Sequence, residues 1–334
     1  MTTAPRVSFS VACHDYGRYL KTAIDSLLDQ DYPLLEVIAI DDGSKDETAA
    51  VLEGYRDDPR VVIVRHEERH GHIRNNDEGL GLARGEFVGI FDADDFFTRR
   101  DAVSRYVALF DANPSVGFVY SAYVLVDDDG SPYRTFRPWP ADYVRPGLDE
   151  FVHLVRACYV QHSGTLVRRR FHTSPQIYDA SLPFSADWDI WLRIAAHHDV
   201  GYIADCLLAY RMHRGQMSQK RFSPSTATGN LLRTVDKAFA ELDPAAAQQL
   251  AHLRKGAITS ALLHQTRTDR SHGRVRRSWQ GLLDAARRAP RLLVAREFYW
   301  ALLRLLALTV FGRGRYARIV GLRDRALGGK APVA

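Results

Sequence analysis

Cysteine is scarce in this chain: Cys13, Cys158 and Cys206 are the only three among 334 residues, and no two of them make a C-x-x-C pair. An odd, scattered set supports neither a disulfide framework nor a thiolate zinc site, and it fits a reducing, cytoplasmic setting. Long apolar runs are lacking too. A membrane-spanning helix needs about 18 uncharged apolar residues, and the longest candidate, residues 298–311, is broken by Arg304. The opening MTTAPRVSFS has no basic segment followed by an apolar one, so no secretory leader is expected. These absences predict a soluble protein, or one held at most on the inner face of a membrane.

What is present is an ordinary globular composition, 46% hydrophobic and 25% charged. The charge is unevenly placed. Residues 231–334 carry 20 Lys/Arg against 7 Asp/Glu, a net +13, and residues 1–230 carry 25 against 33, a net −8. An acidic front joined to a basic tail predicts two parts with different duties.

Over the first 125 residues, β-rich runs alternate with helical patterns. Val7–Ala12, Leu35–Ile40, Val61–Arg65 and Phe87–Phe91 read as strands. Gly17–Gln30 places Leu20, Ile24, Leu27 and Leu28 on one helical face. This alternation predicts βαβ units: a doubly wound, mainly parallel α/β sheet with helices on both faces. Residues 127–150, with four prolines, read as a long irregular connection, and residues 186–197 return to a helix. From about residue 226 the pattern is helical and arginine-rich to the end. The expected division is a catalytic domain over 1–225, split near 125 into two halves, and a basic helical region over 226–334.

In an open α/β sheet, ligands bind beyond the carboxyl ends of the strands. Both acidic clusters fall there. Phe91-Asp92-Ala93-Asp94-Asp95 follows the strand EFVGI. Carboxylates at i and i+2 of an extended segment project to one side, roughly 7 Å apart. They can share a magnesium or manganese ion that clamps diphosphate oxygens. A bare D-x-D is more often a solvated turn; its place at the end of a buried strand favours the functional reading. Asp41-Asp42-Gly43-Ser44 closes the second strand, where a carboxylate can accept hydrogen bonds from a base edge or ribose hydroxyls, or can simply cap the next helix.

Five segments taken together carry a resemblance: SVACHDYGRYL at 10–20, EVIAIDDGSKDET at 36–48, GLGLARGEFVGIFDADD at 79–95, SADWDIWLRIA at 185–195 and YRMHRGQMS at 210–218. Their order and spacing resemble the family two glycosyltransferases of the GT-A fold, the SpsA-like group, over residues 6 to about 218. The resemblance implies an inverting transfer of a sugar from a nucleotide diphosphate (UDP-, dTDP- or GDP-linked) to an acceptor hydroxyl. The acceptor would be a sugar, a lipid-linked group or a small molecule. It places Cys13, His14, Asp15, Asp41, Asp42 and Asp92 at the nucleotide sugar, Asp94 and His213 on a magnesium or manganese ion, and Asp187 as the base.

The sequence also departs from the family. Ala12-Cys13-His14-Asp15 stands where Pro-x-Tyr-Asn is frequent, His14 keeping a flat ring that can stack on a base. Ala186 replaces a common glutamate before Asp187, and Asn75-Asn76-Asp77 stands where Arg-Asn is usual. An inverting transfer needs a carboxylate to take the acceptor proton, and aromatic Trp188 and Phe184 near Asp187 predict a raised pKa for it.

Two other functions stand as alternatives. A sugar-1-phosphate nucleotidyltransferase would carry a glycine-rich, basic phosphate loop where this chain has CHDYGRYL. A non-catalytic nucleotide-sugar-binding module has no need of all three of Asp92, Asp94 and Asp187. The acceptor side is expected from 126 onward, including His162-Ser163-Gly164-Thr165, with Tyr133, Phe136, Trp139 and Tyr143 either stacking on a sugar or pinning their loop. In the tail, Leu302, Leu303, Leu305, Leu306 and Val310 make an apolar stripe beside Phe298, Tyr299 and Trp300. That stripe suits packing on protein or contact with an anionic membrane surface. No nucleic-acid-binding module accompanies the charge.

Overall fold

The computed structural model describes residues 4–171, 177–213, 215–216, 224–271, 274–288 and 290–326. Strands β1 (Val7–Cys13), β2 (Leu35–Asp42), β3 (Val61–His66) and β4 (Phe87–Ile90) alternate with helices α1 (Gly17–Leu28), α2 (Thr48–Glu53) and α3 (His72–Leu82). β1 pairs in parallel with β2 on one side and β4 on the other, and β2 pairs in parallel with β3. All eight residues of β2 are buried, as expected of a strand covered on both faces. α1 turns Leu20, Ala23, Ile24 and Leu27 into the core below β1.

Beyond β4 come the two-residue β5 (Phe96–Phe97), helix α4 (Ala102–Ala112) and the long β6 (Val116–Val126). β7 (Pro132–Phe136), β8 (Tyr143–Arg145) and α5 (Gly147–Leu154) follow, then β9 (Leu166–Arg168), α6 (Ala186–Ala195) and β10 (Asp199–Arg211). The main path of the sheet runs β3-β2-β1-β4-β9-β6-β10-β5, with β7 on β6 and β8 on β10. β10 lies parallel to β6, whereas β5, β7, β8 and β9 pair antiparallel, so the second half of the sheet is mixed.

Residues 127–150 are therefore more regular than the proline count implied. Pro132 opens β7, a strand that pairs only with β6, where a missing N–H is tolerated. Three of the four aromatics in this segment bind it to the core. Phe136 stacks on Tyr123, the Trp139 indole N–H donates to Tyr120 (3.2 Å), and the Tyr143 hydroxyl donates to buried Glu150 (2.8 Å). Tyr133 stays exposed.

The chain divides into two compact units, Met1–Phe151 with Tyr159–Gln219, and Val152–Cys158 with Lys220–Ala334. In the second unit, α7 (Pro224–Glu241), α8 (Pro244–Ser271), α9 (Val275–Arg288) and α10 (Arg296–Ala326) carry their own core of Leu262, Leu263, Leu282, Phe298, Ala301 and Leu305. α10 is two helical pieces joined at Gly312, whose φ of 67° only glycine adopts readily. Among the described residues, no helix is long and apolar enough to cross a membrane.

Candidate active site

The acidic turn after β4 stands on aromatic packing. Phe91 is fully buried, with its ring edge-on to Phe9 at 5.7 Å and tilted against Phe97 at 4.9 Å. Aromatic pairs of this kind add about 0.5–1.5 kcal/mol each beyond burial. The main chain then turns, the Asp95 amide donating to the Asp92 carbonyl (3.1 Å). The Asp92 amide donates to Ser163 Oγ (3.0 Å), and Gly164 N–H donates to the Ile90 carbonyl. The 162–165 segment is thereby fastened along the end of β4.

The three carboxylates differ in environment. Asp92 is partly exposed. Asp94 is buried, and its Oδ2 lies 2.9 Å from Nε2 of His213, 119 positions later. Burial pushes the Asp94 carboxyl above its usual pKa, with the Asp92 charge adding to the rise and the His213 contact opposing it. Asp95 is shifted further in the same direction by complete burial and by the charges of Asp94 and Asp92. Its Oδ1 accepts the Arg211 amide (2.9 Å). The Arg211 guanidinium donates to the carbonyls of Asp94 and Asp128, both at 2.8 Å, which holds the acidic turn against the end of β10. Of the neighbouring motif residues, Arg214, Met217 and Ser218 lie outside the described residues.

The ends of β1 and β2 are tied to each other. Asp15 has φ of 58°, the left-handed region that aspartate tolerates better than most residues. Its amide donates to Ser44 Oγ (3.1 Å) and its carboxylate accepts the Lys45 amide (2.8 Å). The Gly17 amide donates to Asp46 (2.9 Å), and a Cβ at Gly17 would come 2.6 Å from the Thr48 nitrogen. Glycine is required there by close approach of the two loops.

Asp42 is buried and accepts the amides of His70 (2.6 Å) and Gly71 (3.0 Å). Burial raises its pKa, but these donors and the Asn75 side chain outweigh that and hold the carboxylate below its usual range. His14 Nδ1 lies 2.8 Å from the Asp42 carbonyl. Asp41 accepts the Ser44 amide (2.9 Å), which closes a turn ahead of α2 and does not cap that helix, whose cap position is Glu47. Cys13 faces inward against Thr48, its thiol pushed up to about 12 by burial. Only its main chain remains for a ligand.

Asp187 lies in the first turn of α6, not at the cap, which is Ser185. Its carboxyl is pushed above its usual pKa by burial, while the nearby imidazole of His162 opposes the shift. His162 is expected from the sequence only as part of the acceptor side, with no chemical role. Its Nδ1 lies 3.9 Å from Asp92 Oδ1, and its Nε2 is 2.5 Å from the Tyr178 hydroxyl. Burial works against a charged His162, yet the carboxylates of Asp92 and Asp187 lift its pKa above that of an ordinary histidine. Asp92, His162 and Asp187 thus form one electrostatic group, as Asp94 and His213 form another beside it. Tyr178, the partner of His162, also lines an open cleft of about 820 Å³ together with His70, Gly71, Arg74, Asp77 and Glu78 among others.

Comparison with known proteins follows the same lines. The model of glycosyl transferase family 2 matches residues 8–171. An uncharacterized glycosyltransferase of Haemophilus influenzae is 25% identical over 226 residues, 65% of this chain and 69% of that protein. Two Rickettsia relatives, from R. felis and R. bellii, are spanned over only 36% and 31% of their length. Among solved structures, S. aureus TarS 1–349 with UDP-GlcNAc superposes with a TM-score of 0.65 at 17% identity, covering 84% of this chain and 80% of that one. The mannosyltransferase PcManGT of Pyrobaculum calidifontis, in complex with GDP-Man and Mn2+, gives 0.55 at 20% identity over 92% and 87%. The fold is that of these GT-A proteins.

Proposed function

We propose, from the match of residues 8–171 to the model of glycosyl transferase family 2, that this chain transfers a sugar, with inversion, from a nucleotide diphosphate donor to an acceptor hydroxyl. The observation that carries the reading is the convergence of Asp92, Asp94, His213, His162 and Asp187 at the carboxyl end of β4. They arrive from the β4 turn, the 162–165 segment, the first turn of α6 and the end of β10.

Asp42, with the His14 ring beside it, meets the base and ribose, and Asp92 meets the ribose or sugar. Asp94 and His213 fit a divalent ion: their ligand atoms face each other at 2.9 Å, the spacing of neighbouring donors on one centre. A carboxylate with an imidazole suits manganese, and magnesium with water completing its shell. Such an ion supplies positive charge to the leaving diphosphate. The mannosyltransferase bound to GDP-Man and Mn2+ shares the fold and supports this.

Asp187 then takes the acceptor hydroxyl proton as that oxygen bonds to the anomeric carbon and the bond to the diphosphate oxygen breaks. Its raised pKa makes it a stronger base than an ordinary aspartate. Positive charge on His162, next to Asp187, opposes the rise in the Asp187 pKa and so favours the ionised base.

The second unit is the basic helical region of the proposal. Tyr299, Leu303, Leu306 and Val310 share the outward face of α10, and Val310 is 72% exposed, although the opposite face is already packed by Phe298, Ala301 and Leu305. An apolar outward face within a region of net +13 matches an anionic membrane surface, where a lipid-linked acceptor would be found.

The test is incubation of the protein with UDP-, dTDP- and GDP-sugars and manganese or magnesium, reading release of nucleoside diphosphate together with nucleotide binding. Metal-dependent turnover of one donor, lost in Asp94→Ala and in Asp187→Asn, is the expected result. Absence of both turnover and metal-dependent nucleotide binding overturns the proposal.

A further inference from the structure

A second group of ligand-type side chains lies on the other side of Asp42, away from the acidic turn. His66 ends β3, His70 lies in the following loop and Glu78 is on α3; one ligand atom from each lies within 4.8 Å of the other two. Nε2 of His66 is 3.0 Å from Glu78 Oε2, and the rings of His66 and His70 lie 4.1 Å apart, tilted by 32°. The His66 side chain is only 9% exposed.

Two donors on one tetrahedral zinc, at bond lengths of about 2.0–2.1 Å, stand roughly 3.4 Å apart. The His66–Glu78 pair, at 3.0 Å, needs to open by only about 0.4 Å to reach it. His70 must close by little more than 1 Å, which rotation of its exposed imidazole achieves. Zinc-bound histidines commonly direct their other ring nitrogen at an outer carboxylate. Nδ1 of His66 has no hydrogen-bond partner, and Asp42 Oδ1 lies 3.8 Å from it. The orientation is the one an ion at Nε2 requires.

We propose that His66, His70 and Glu78 bind a zinc-class divalent cation at a site separate from Asp94 and His213. Two imidazoles and one carboxylate select a borderline ion such as zinc over magnesium, which prefers oxygen and keeps its water. His70 and Glu78 also line the 820 Å³ cleft, so the fourth position of the ion faces solvent-filled space. Ligation would fix the 67–71 loop. That loop carries the His70 and Gly71 amides that hold the Asp42 carboxylate, so the ion would stiffen one wall of the cleft. The site stands on its own ligand geometry, whatever donor the enzyme uses.

The test uses the whole chain carrying Asp94→Ala, which removes the other candidate site. It is dialysed against low-micromolar zinc chloride, and bound metal is measured by mass spectrometry and calorimetry. One zinc per chain is expected, with affinity falling at least tenfold when His70→Ala or Glu78→Gln is added and circular dichroism is unchanged. His70 is exposed and glutamine keeps the shape of glutamate, so neither change threatens the fold. Cobalt in place of zinc should give a visible absorption band that His70→Ala removes. Absence of stoichiometric zinc in the Asp94→Ala chain, or zinc binding undiminished by both added substitutions, overturns the proposal and leaves His66–Glu78 as a plain ion pair.

Discussion

Nε2 of His213 lies 2.9 Å from Oδ2 of Asp94, a buried contact between the turn after β4 and the residue two beyond the end of β10. Three carboxylates crowd that turn, and two of them have raised pKa values through burial and mutual repulsion. A dication bound there, as proposed, would relieve this repulsion and favour the folded chain. Manganese at 100 times its dissociation constant should therefore stabilise the protein by about 2.7 kcal/mol. The melting temperature should rise with manganese in the wild type and stay flat in Asp94→Ala.

Asp187→Asn removes the proposed base without changing its size. Turnover should fall roughly 10²- to 10⁴-fold, with the affinity for the nucleoside diphosphate unchanged by calorimetry. Equal losses in binding and turnover would remove Asp187 from the role of base.

The pH profile distinguishes His162 from a spectator. Its positive charge favours ionised Asp187, so His162→Gln should raise the Asp187 pKa further. The base is active only when deprotonated. The acid limb of kcat against pH should consequently move to higher pH, and the rate lost on the acid side should return as the pH is raised. An unmoved acid limb would mean that His162 acts only through packing.

Gly17→Ala puts a methyl group 2.6 Å from the Thr48 nitrogen, where only a shift of main chain makes room. Overpacking of this kind costs about 1–3 kcal/mol. Chemical denaturation should show that loss, and the tie between the β1 and β2 loops should loosen with it.

Leu303→Glu with Val310→Glu places two charges on the outward face of α10 and leaves Leu305 and Phe298 packed. Sedimentation with vesicles of anionic lipid should retain the wild type and release the variant. Melting of the two proteins should agree closely. Equal sedimentation would remove the membrane from the role of that face.

The first four strands and α1 were legible because burial on both faces writes continuous apolar runs, and because Leu20, Ile24 and Leu27 recur at helical spacing. β7 and β8 were not. Pro132, Pro138 and Pro140 read as breaks, and the exposed residues of β7 show no alternation; their order comes from pairing with β6 and β10, which sequence does not display. Asp92, Asp94 and Asp187 stood out by motif. His162 did not, since nothing local announces that Ser163 binds the Asp92 amide and so brings the ring beside Asp92 and Asp187. Cys13 shows the reverse limit: its motif position was legible, but its inward orientation follows from the alternation of a β1 side chain against Thr48.

Arg211 ends β10, yet it is bonded through its amide to Asp95 and through its guanidinium to the Asp94 carbonyl. The acidic turn after β4 is therefore finished by β10, a strand far along the chain from it. Grafting a foreign segment in place of residues 126–225 would import a new scaffold for the acidic turn. Chimeras of this enzyme should be cut after Gln216, so that β10 and its arginine travel with the turn they complete.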